Sequence, residues 1–259
     1  MSKINDNLNT NNILNKIRSK YILRKIFDNL NEKKILKIIL YNKNLLKSLD
    51  KRLIDYKDEY SKIEIEIIPL EKIDRKYNLL NIKNNKESSF HIYFNDNQEE
   101  IRRKELTNED KITKIKVIID SNVKSLENLF SKCNYIKKIN ISKFNRTDIK
   151  SMSYMFHFCT NLEEINFVSF NTDKVTKMNY MFFGCSTLKE LYLSNFFTNN
   201  VNDFRFMFAE CKSLKFLDIS NFFVNDSADI SDIFYESSDD MELLTQNERL
   251  IEAKIKGGK

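Results

Sequence analysis

The sequence has few of the residues from which most catalytic and metal sites are built. Its 259 residues include three glycines, one proline, two histidines, four cysteines and no tryptophan. Loops that cradle phosphate need residues without a Cβ, and two of the three glycines are the adjacent Gly257 and Gly258. Two histidines are too few for a multi-histidine metal site or relay. The composition therefore argues against catalysis, and we expect no enzyme activity, no cofactor and no metal site.

Long hydrophobic runs are also missing from the sequence. The first residues, MSKINDNLNTNN, lack the apolar stretch of a secretory signal, and no run approaches the ~20 apolar residues that span a bilayer. The formal net charge is +6, with both signs mixed along the chain, which is typical of a solvated surface rather than a nucleic-acid interface. We expect a cytoplasmic or otherwise intracellular protein that has no membrane span, binds no nucleic acid and is a monomer.

What the sequence does contain is an internal repeat with a fixed period. The four cysteines, Cys133, Cys159, Cys185 and Cys211, are each separated by 26 positions, and a fifth partial unit has Ser237 in their place. A phenylalanine stands three residues before each of these five positions, from Phe130 to Phe234. Further apolar columns follow each cysteine at offsets of 3, 6, 8 and 11 residues. A fixed period of this length predicts a repeat architecture in which neighbouring units bury one another's apolar faces.

Each unit contains two kinds of apolar spacing. In one unit the residues Val175, Met178, Met181, Phe182 and Cys185 follow at intervals of 3, 3, 1 and 3, which predicts one face of a short helix. The segment LKELYLSNF that follows predicts a short strand, with Leu191 and Leu193 inward and Tyr192 outward. These elements predict an α/β solenoid, a right-handed stack of 26-residue units like that of leucine-rich repeats.

The units resemble a known repeat family. The segment SMSYMFHFCTNLEEINFVSFNTDKVTKMNYMFFGCSTLKELYLSNF resembles the BspA-type leucine-rich repeats, with their spacing M-x-x-M-F-x-x-C-x-x-L-x-x-L-x-L-S-x-F-N-T. Such repeats occur in mycoplasma surface proteins and in protist proteins. The resemblance covers about residues 121–236. Many leucine-rich repeats have Asn in the turn after the strand, whereas this chain has a column of Phe there: Phe144, Phe170, Phe196 and Phe222.

The N-terminal part differs in pattern from the repeats. Residues 1–60 carry apolar stripes at helical spacing and predict a helical region. Within it, residues 19–48 loosely resemble an F-box, the helical module that docks adaptors onto a ubiquitin ligase scaffold. That resemblance implies an alternative function, a substrate-receptor subunit of a ubiquitin ligase. Co-purification of ligase scaffold components would favour it.

Residues 61–112 predict a strand-rich connecting region. Lys62–Ile68 and Phe90–Phe94 alternate as half-buried strands do, and Pro69 ends the first. A third strand with Ile115, Val117 and Ile119 inward is expected to cover the open edge of the first repeat. We assign residues 113–236 to the repeats, about four full units plus partial caps, and residues 237–259 to a C-terminal cap or tail.

The regular spacing of the cysteines bears on their role. Zinc ligands usually occur in close pairs such as C-x-x-C, whereas these cysteines occur only once in each repeat unit. The spacing favours reduced thiols that fill one core position in every unit, with disulfides between neighbouring units or a metal site as the alternatives.

An exposed strand face is the remaining candidate for function. We expect a non-catalytic protein-interaction module. We expect it to bind a partner protein of unknown identity through the side chains that point outward from the strands. Tyr192 and Phe216 are the expected anchors because aromatic side chains dominate binding energy at interfaces. Two columns form the predicted binding face: Lys138, Glu164, Glu190 and Phe216, and beside them Asn140, Asn166, Tyr192 and Asp218.

Overall fold

The computed structural model describes Lys34, Ile38 and residues 61–82, 87–168 and 170–257. The chain divides into two compact units, Met1–Ser61 and Lys62–Lys259. Within the first unit, Lys34 and Ile38 are helical. The predicted helical region 1–60, with its F-box-like segment 19–48, otherwise lies outside the described residues.

The second unit is built mainly of short β-strands. A five-stranded sheet has the order β3-β5-β1-β6-β7, a three-stranded sheet the order β10-β9-β8, and a small sheet pairs β2 with β4. A 3₁₀ turn at Glu87–Ser89 precedes β3, and the helix α1, Glu248–Gly257, follows β10. The strands are β1 (Ile63–Pro69), β2 (Tyr77–Asn78), β3 (Phe90–Phe94), β4 (Glu105–Leu106), β5 (Ile115–Ile119), β6 (Ile136–Phe144), β7 (Glu164–Phe167), β8 (Glu190–Tyr192), β9 (Phe216–Asp218) and β10 (Glu242–Leu244).

The edge of the first repeat is covered by β1. This strand pairs antiparallel with β5 on one side and with β6, the strand of the first repeat, on the other. Its residues Ile63, Ile65 and Ile67 are buried and its intervening residues half-buried, as their alternation predicts. The prediction that the strand containing Ile115 covers this edge was wrong, because β1 lies between that strand and the repeat.

The units themselves pair in parallel at the repeat offset. Lys138 of β6 lies opposite Glu164 of β7, and Glu190 of β8 lies opposite Phe216 of β9. Four isolated parallel bridges join residues 26 positions apart in the same way. They link, in order, Ser125, Ser151, Lys177, Asp203 and Asp229. The chain is therefore a repeat protein in structure as well as in sequence.

The segments predicted as short helices are runs of β-turns. An α-helix would pair each N–H with the carbonyl four residues earlier. Instead the N–H of Met181 bonds to the carbonyl of Met178 and the N–H of Cys185 to that of Phe182, both three residues back. The intervening Tyr180 and Gly184 have φ of 57° and 71°, the left-handed conformation that a type II turn needs at its third residue.

Alternate N–H groups of these turns bond to the next unit. Those of Tyr180, Phe182 and Gly184 bond to the carbonyls of Arg205, Met207 and Ala209, at 2.8, 3.0 and 2.9 Å. Apolar residues three positions apart thus arise here from successive turns, each of which places a side chain inward. The sequence pattern does not distinguish this from a helical face over so short a segment.

The fold-class prediction, a right-handed α/β solenoid of leucine-rich-repeat type, was therefore wrong. The described part of the chain is mostly β-sheet, in several sheets of mixed type, and the strands do not join into one closed solenoid. Among the described residues between 61 and 257, one α-helix is present, α1. In that part of the chain, no helix is long and apolar enough to cross a membrane.

The core between the units consists of aligned side chains from successive repeats. Five phenylalanine rings stack at centroid separations of 5.4–5.9 Å with interplanar angles of 14° or less, and all are at most 1% exposed. This phenylalanine column comprises Phe130, Phe156, Phe182, Phe208 and Phe234. Their burial agrees with the prediction that neighbouring units bury one another's apolar faces.

Candidate interaction surface

The eight residues predicted to bind a partner lie on strands β6 to β9. Their side chains alternate with the buried residues Ile139, Ile165, Leu191 and Leu217, so they point away from the core. Four of them belong to the five-stranded sheet, namely Lys138, Asn140, Glu164 and Asn166. The other four belong to the three-stranded sheet, namely Glu190, Tyr192, Phe216 and Asp218.

The half on the five-stranded sheet is polar and bonded within itself. The ammonium of Lys138 lies 2.6 Å from Glu164 Oε2, and the amide of Asn166 donates to Glu164 Oε1 at 2.9 Å. The bond to Glu164 raises the pKa of Lys138, and the bond from Lys138 lowers the pKa of Glu164. A partner would have to displace these contacts to use the charges.

The half on the three-stranded sheet carries exposed aromatic surface. The ring of Tyr192 is 54% exposed and lies 5.4 Å, between centroids, from the half-buried ring of Phe216. The Tyr192 hydroxyl donates to Glu190 at 2.8 Å, and this bond raises the pKa of the phenol. Burial opposes ionisation of Asp218, but bonds from Ser220 lower its pKa overall, so the carboxylate stays charged at neutral pH.

The two halves are separated between β7 and β8. No strand pairing joins these two strands, which are both fully described, and side-chain bonds connect the units there instead. The amide of Asn195 donates to the carbonyl of Phe167 at 2.9 Å. Phe167 occupies a position where other units have Ile or Leu, and its ring packs edge-on against Phe170 and Phe196, at 4.8 and 4.9 Å. We attribute the interruption to this larger side chain.

Strand β10 adds two residues that the sequence analysis missed. Glu242 lies opposite Phe216 and Leu244 opposite Asp218, so both extend the outward columns by one unit. Leu244 is 49% exposed. Counting one repeat period onward from Phe216 and Asp218 finds both positions. We assign residues 237–259 from the sequence to a cap or tail, which predicts no strand there.

A second aromatic column on the turns was also missed. The rings of Tyr154, Tyr180 and Phe206 stack at 4.7 and 4.8 Å with interplanar angles of 5° and 16°. All three are half-buried and have positive φ, which directs them outward from the turns. Their spacing of one repeat period was visible in the sequence. The prediction of a helix in this segment did not indicate that these residues stack. We call the three residues the outer aromatic column.

The four cysteines are free and buried, as the sequence analysis predicts. Each thiol of Cys159, Cys185 and Cys211 donates to the carbonyl of a phenylalanine in the preceding unit, at 3.0–3.2 Å. Burial raises the pKa of Cys133 and of Cys211 to about 12, which keeps these thiols protonated and unreactive at neutral pH. The side chains that the structure describes contain no group of three or more His, Cys, Asp or Glu placed to hold a metal ion.

Both histidines contact other side chains. His91 Nδ1 lies 3.0 Å from Glu100 and its Nε2 lies 3.2 Å from Asp120. Burial opposes protonation of His91, but these carboxylates raise its pKa overall. His157, on the turns, lies 3.2 Å from the Ser131 hydroxyl, and burial followed by the charge of Lys132 lowers its pKa.

Comparison with known proteins identifies the family of the repeats. No curated protein and no solved structure matches the chain. Residues 109–246, more than half of the chain, match the family described as "Mycoplasma protein of unknown function, DUF285". The matched residues contain all four cysteines and strands β6 to β10. The chain therefore belongs to the DUF285 family.

Proposed function

We propose that this repeat protein is a non-catalytic binding protein whose partner protein contacts the outer face of β8, β9 and β10. The observation that carries the proposal is the exposed ring of Tyr192 beside Phe216 on a paired, regular sheet. Two adjacent aromatic side chains on a regular sheet supply much contact area for few frozen torsions.

The charges around these rings favour a particular kind of partner. Glu190, Asp218 and Glu242 alternate with Tyr192, Phe216 and Leu244 across the three strands. An apolar side chain flanked by basic residues would match this arrangement, with the apolar group on the rings and the cations beside the carboxylates. Such charges determine partner choice and association rate more than affinity.

The polar half of the predicted face has a smaller part in this proposal. Glu164 already forms an ion pair with Lys138 and a hydrogen bond with Asn166. A partner that binds there would exchange these bonds for new ones. We place Lys138, Asn140, Glu164 and Asn166 at the periphery of the interface and the energetic centre at Tyr192 and Phe216.

A double variant tests the proposal. Replacing Tyr192 and Phe216 by Ala is expected to weaken partner binding by at least ~2 kcal/mol in total, on the scale of interface hot spots. The matched control replaces Phe197 and Phe223, which are 55% and 51% exposed outside the strands. Equal binding by the double variant and the parent, or an equal loss in the control, would refute this location.

We also propose that the units are related to the BspA-type repeats. The support is the joint spacing of Met-Phe-Cys and Leu-Leu-Leu residues within residues 121–236. A BspA-type repeat of known structure should then show the same consecutive turns between Met and Cys. A true α-helix in that segment would count against the relationship.

A further inference from the structure

A cleft opens where the outer aromatic column begins. It has a volume of about 770 Å³ and lies between the segment that follows β1 and the turns of the first two units. Tyr154, the first ring of the column, and Asn128, at the same position one unit earlier, both line it. This cleft lies on the turns, not on the strand positions proposed above as the partner-binding face.

Tyr154 lines this cleft at the end of the stacked rings. One face of its ring is covered by Tyr180, whose ring lies 4.7 Å away and nearly parallel. The unit that precedes Tyr154 has Asn128 where the next units have a ring, so the column ends here. His157 contacts the Tyr154 ring edge-on at 5.2 Å and forms an adjoining wall of the cleft.

Cations outnumber carboxylates around the cleft. Arg75, Lys76 and Lys132 line it together with one carboxylate, Glu105, and Asp74 beside the cleft lies 4.0 Å from Arg75 Nε. The ammonium of Lys76 lies 3.4 Å from Glu105, so these two charges offset each other. Lys132 is exposed, and its charge contributes to the lowered pKa of the neighbouring His157. The cleft is therefore suited to a ligand with a negative charge.

The rest of the lining is polar and uncharged. The hydroxyl of Ser131 lies beside His157 Nδ1, and the side chains of Asn78, Asn128 and Asn134 carry both donors and acceptors. One aromatic face with several amides around it suits a ring whose faces are apolar and whose edges carry hydroxyls. A flat nucleobase would gain more from two aromatic walls.

We propose that this cleft binds a monosaccharide unit that bears a carboxylate or a phosphate. The C–H groups on one face of a sugar ring carry partial positive charge and would pack on the negative face of the Tyr154 ring. The hydroxyls would exchange hydrogen bonds with the amides and Ser131. The anionic group would pair with Lys132 and with the guanidinium of Arg75.

Saturation-transfer NMR and calorimetric titration of the full chain with glucuronate, glucose 6-phosphate, glucose and adenosine monophosphate test the proposal. Both charged sugars should bind at least about threefold more tightly than glucose, the ratio expected from ion pairs with exposed cations such as Lys132. Protons on one face of the sugar should receive the strongest saturation. Equal binding of glucose, or tight binding of adenosine monophosphate alone, would overturn the proposal.

Variants locate the site and separate binding from folding. Tyr154→Leu should weaken both charged sugars by about fivefold or more, whereas Phe206→Leu, at the opposite end of the same column, should leave binding unchanged. Lys132→Gln, an exposed change that leaves the core intact, should reduce the preference for charged sugars over glucose. Unchanged binding by both Tyr154→Leu and Lys132→Gln would overturn the assignment. Loss of binding in Phe206→Leu equal to that in Tyr154→Leu would do the same.

Discussion

At the scale of single residues, the interior depends on one phenylalanine from each unit. Phe182 is fully buried and lies between Phe156 and Phe208, with ring centroids 5.4 and 5.9 Å away. Each of the three interior rings therefore contributes burial and also contacts the two neighbouring units. Cysteine accompanies this column because a small side chain fits beside the ring and its thiol can donate to a phenylalanine carbonyl.

Phe182→Ala should lower the free energy of unfolding by about 3–5 kcal/mol, since the residual cavity adds to the lost transfer free energy. Urea denaturation measures this loss. Phe197→Ala, at a position that is 55% exposed, is the control and should change stability by no more than about 0.5 kcal/mol. Similar values for the two variants would contradict the phenylalanine column as the centre of the core.

The two histidines should affect stability in opposite directions as pH changes. The pKa of His91 is higher in the folded protein than in the unfolded chain, where it is 6.5. Its contribution to folding stability is therefore complete below pH 6.5 and is lost as the pH rises through the folded-state pKa. His157 has a lowered pKa, so protonation of the unfolded chain reduces stability as pH falls below 6.5. His91→Gln should therefore be most destabilising near pH 5 and less so near pH 8.

His157→Gln should show the opposite trend, because it removes a group that disfavours folding in acid. Its stability relative to the parent should improve as the pH falls from about 8 to about 5. Denaturation midpoints across this range measure both variants. Parallel pH profiles for the two variants would show that the carboxylates beside His91 and the burial of His157 do not govern their titration.

At the scale of elements, the turn segments determine how the units associate. Each unit has two residues of positive φ, at the same two places in every repeat, and one of these ten positions is glycine. At Gly184 an added Cβ would lie 2.6 Å from Cδ1 of Phe158, the residue at the equivalent position one unit earlier. Glycine is thus favoured there by the backbone conformation, which other units adopt with larger residues, and by the close approach of a ring.

Gly184→Ala should cost about 1–2 kcal/mol of unfolding free energy, because it places an L-residue in the left-handed region and against the Phe158 ring. The reciprocal change Glu210→Gly, at the equivalent position with φ of 54°, should leave stability unchanged or raise it slightly. Thermal or urea denaturation measures both. A stabilising Gly184→Ala would contradict the turn geometry.

The sequence predicted the register of the repeat more reliably than its secondary structure. Alternation in KIEIEII and FHIYF identified β1 and β3, because burial of every second residue is specific to strands. Met178, Met181 and Cys185 were correctly placed inward. Their helical assignment failed because buried residues three positions apart occur in these turns as well as in a short helix of 3.6 residues per turn.

The limits of the candidate surface could be predicted only in part. The repeat columns in the sequence are enough to predict that Tyr192 and Phe216 point outward. The separation of β7 from β8 depends on how the Phe167 ring packs among Phe170 and Phe196, which no periodic pattern encodes. The cleft beside Tyr154 joins residues from distant parts of the chain, Arg75 and Lys132 among them, and so requires the fold.

At the scale of the whole molecule, the repeats present different surfaces on different sides. The strands carry the aromatic and acidic face of β8 to β10, while the turns carry the outer aromatic column and the cleft at its end. Between them lies the column of buried rings that spans all five units. A rigid core of this kind lets exposed side chains keep fixed spacings, which lowers the entropic cost of binding.

Site-specific photo-crosslinking tests the central claim, binding through the face of β8 to β10, most directly. A benzophenone side chain placed at Tyr192 or at Phe216 should form a covalent adduct with a single partner protein in cells. The same group at Phe223, which is exposed but lies off the strands, should form none. Adducts from Phe223 alone, or none from either strand position, would contradict the proposed face.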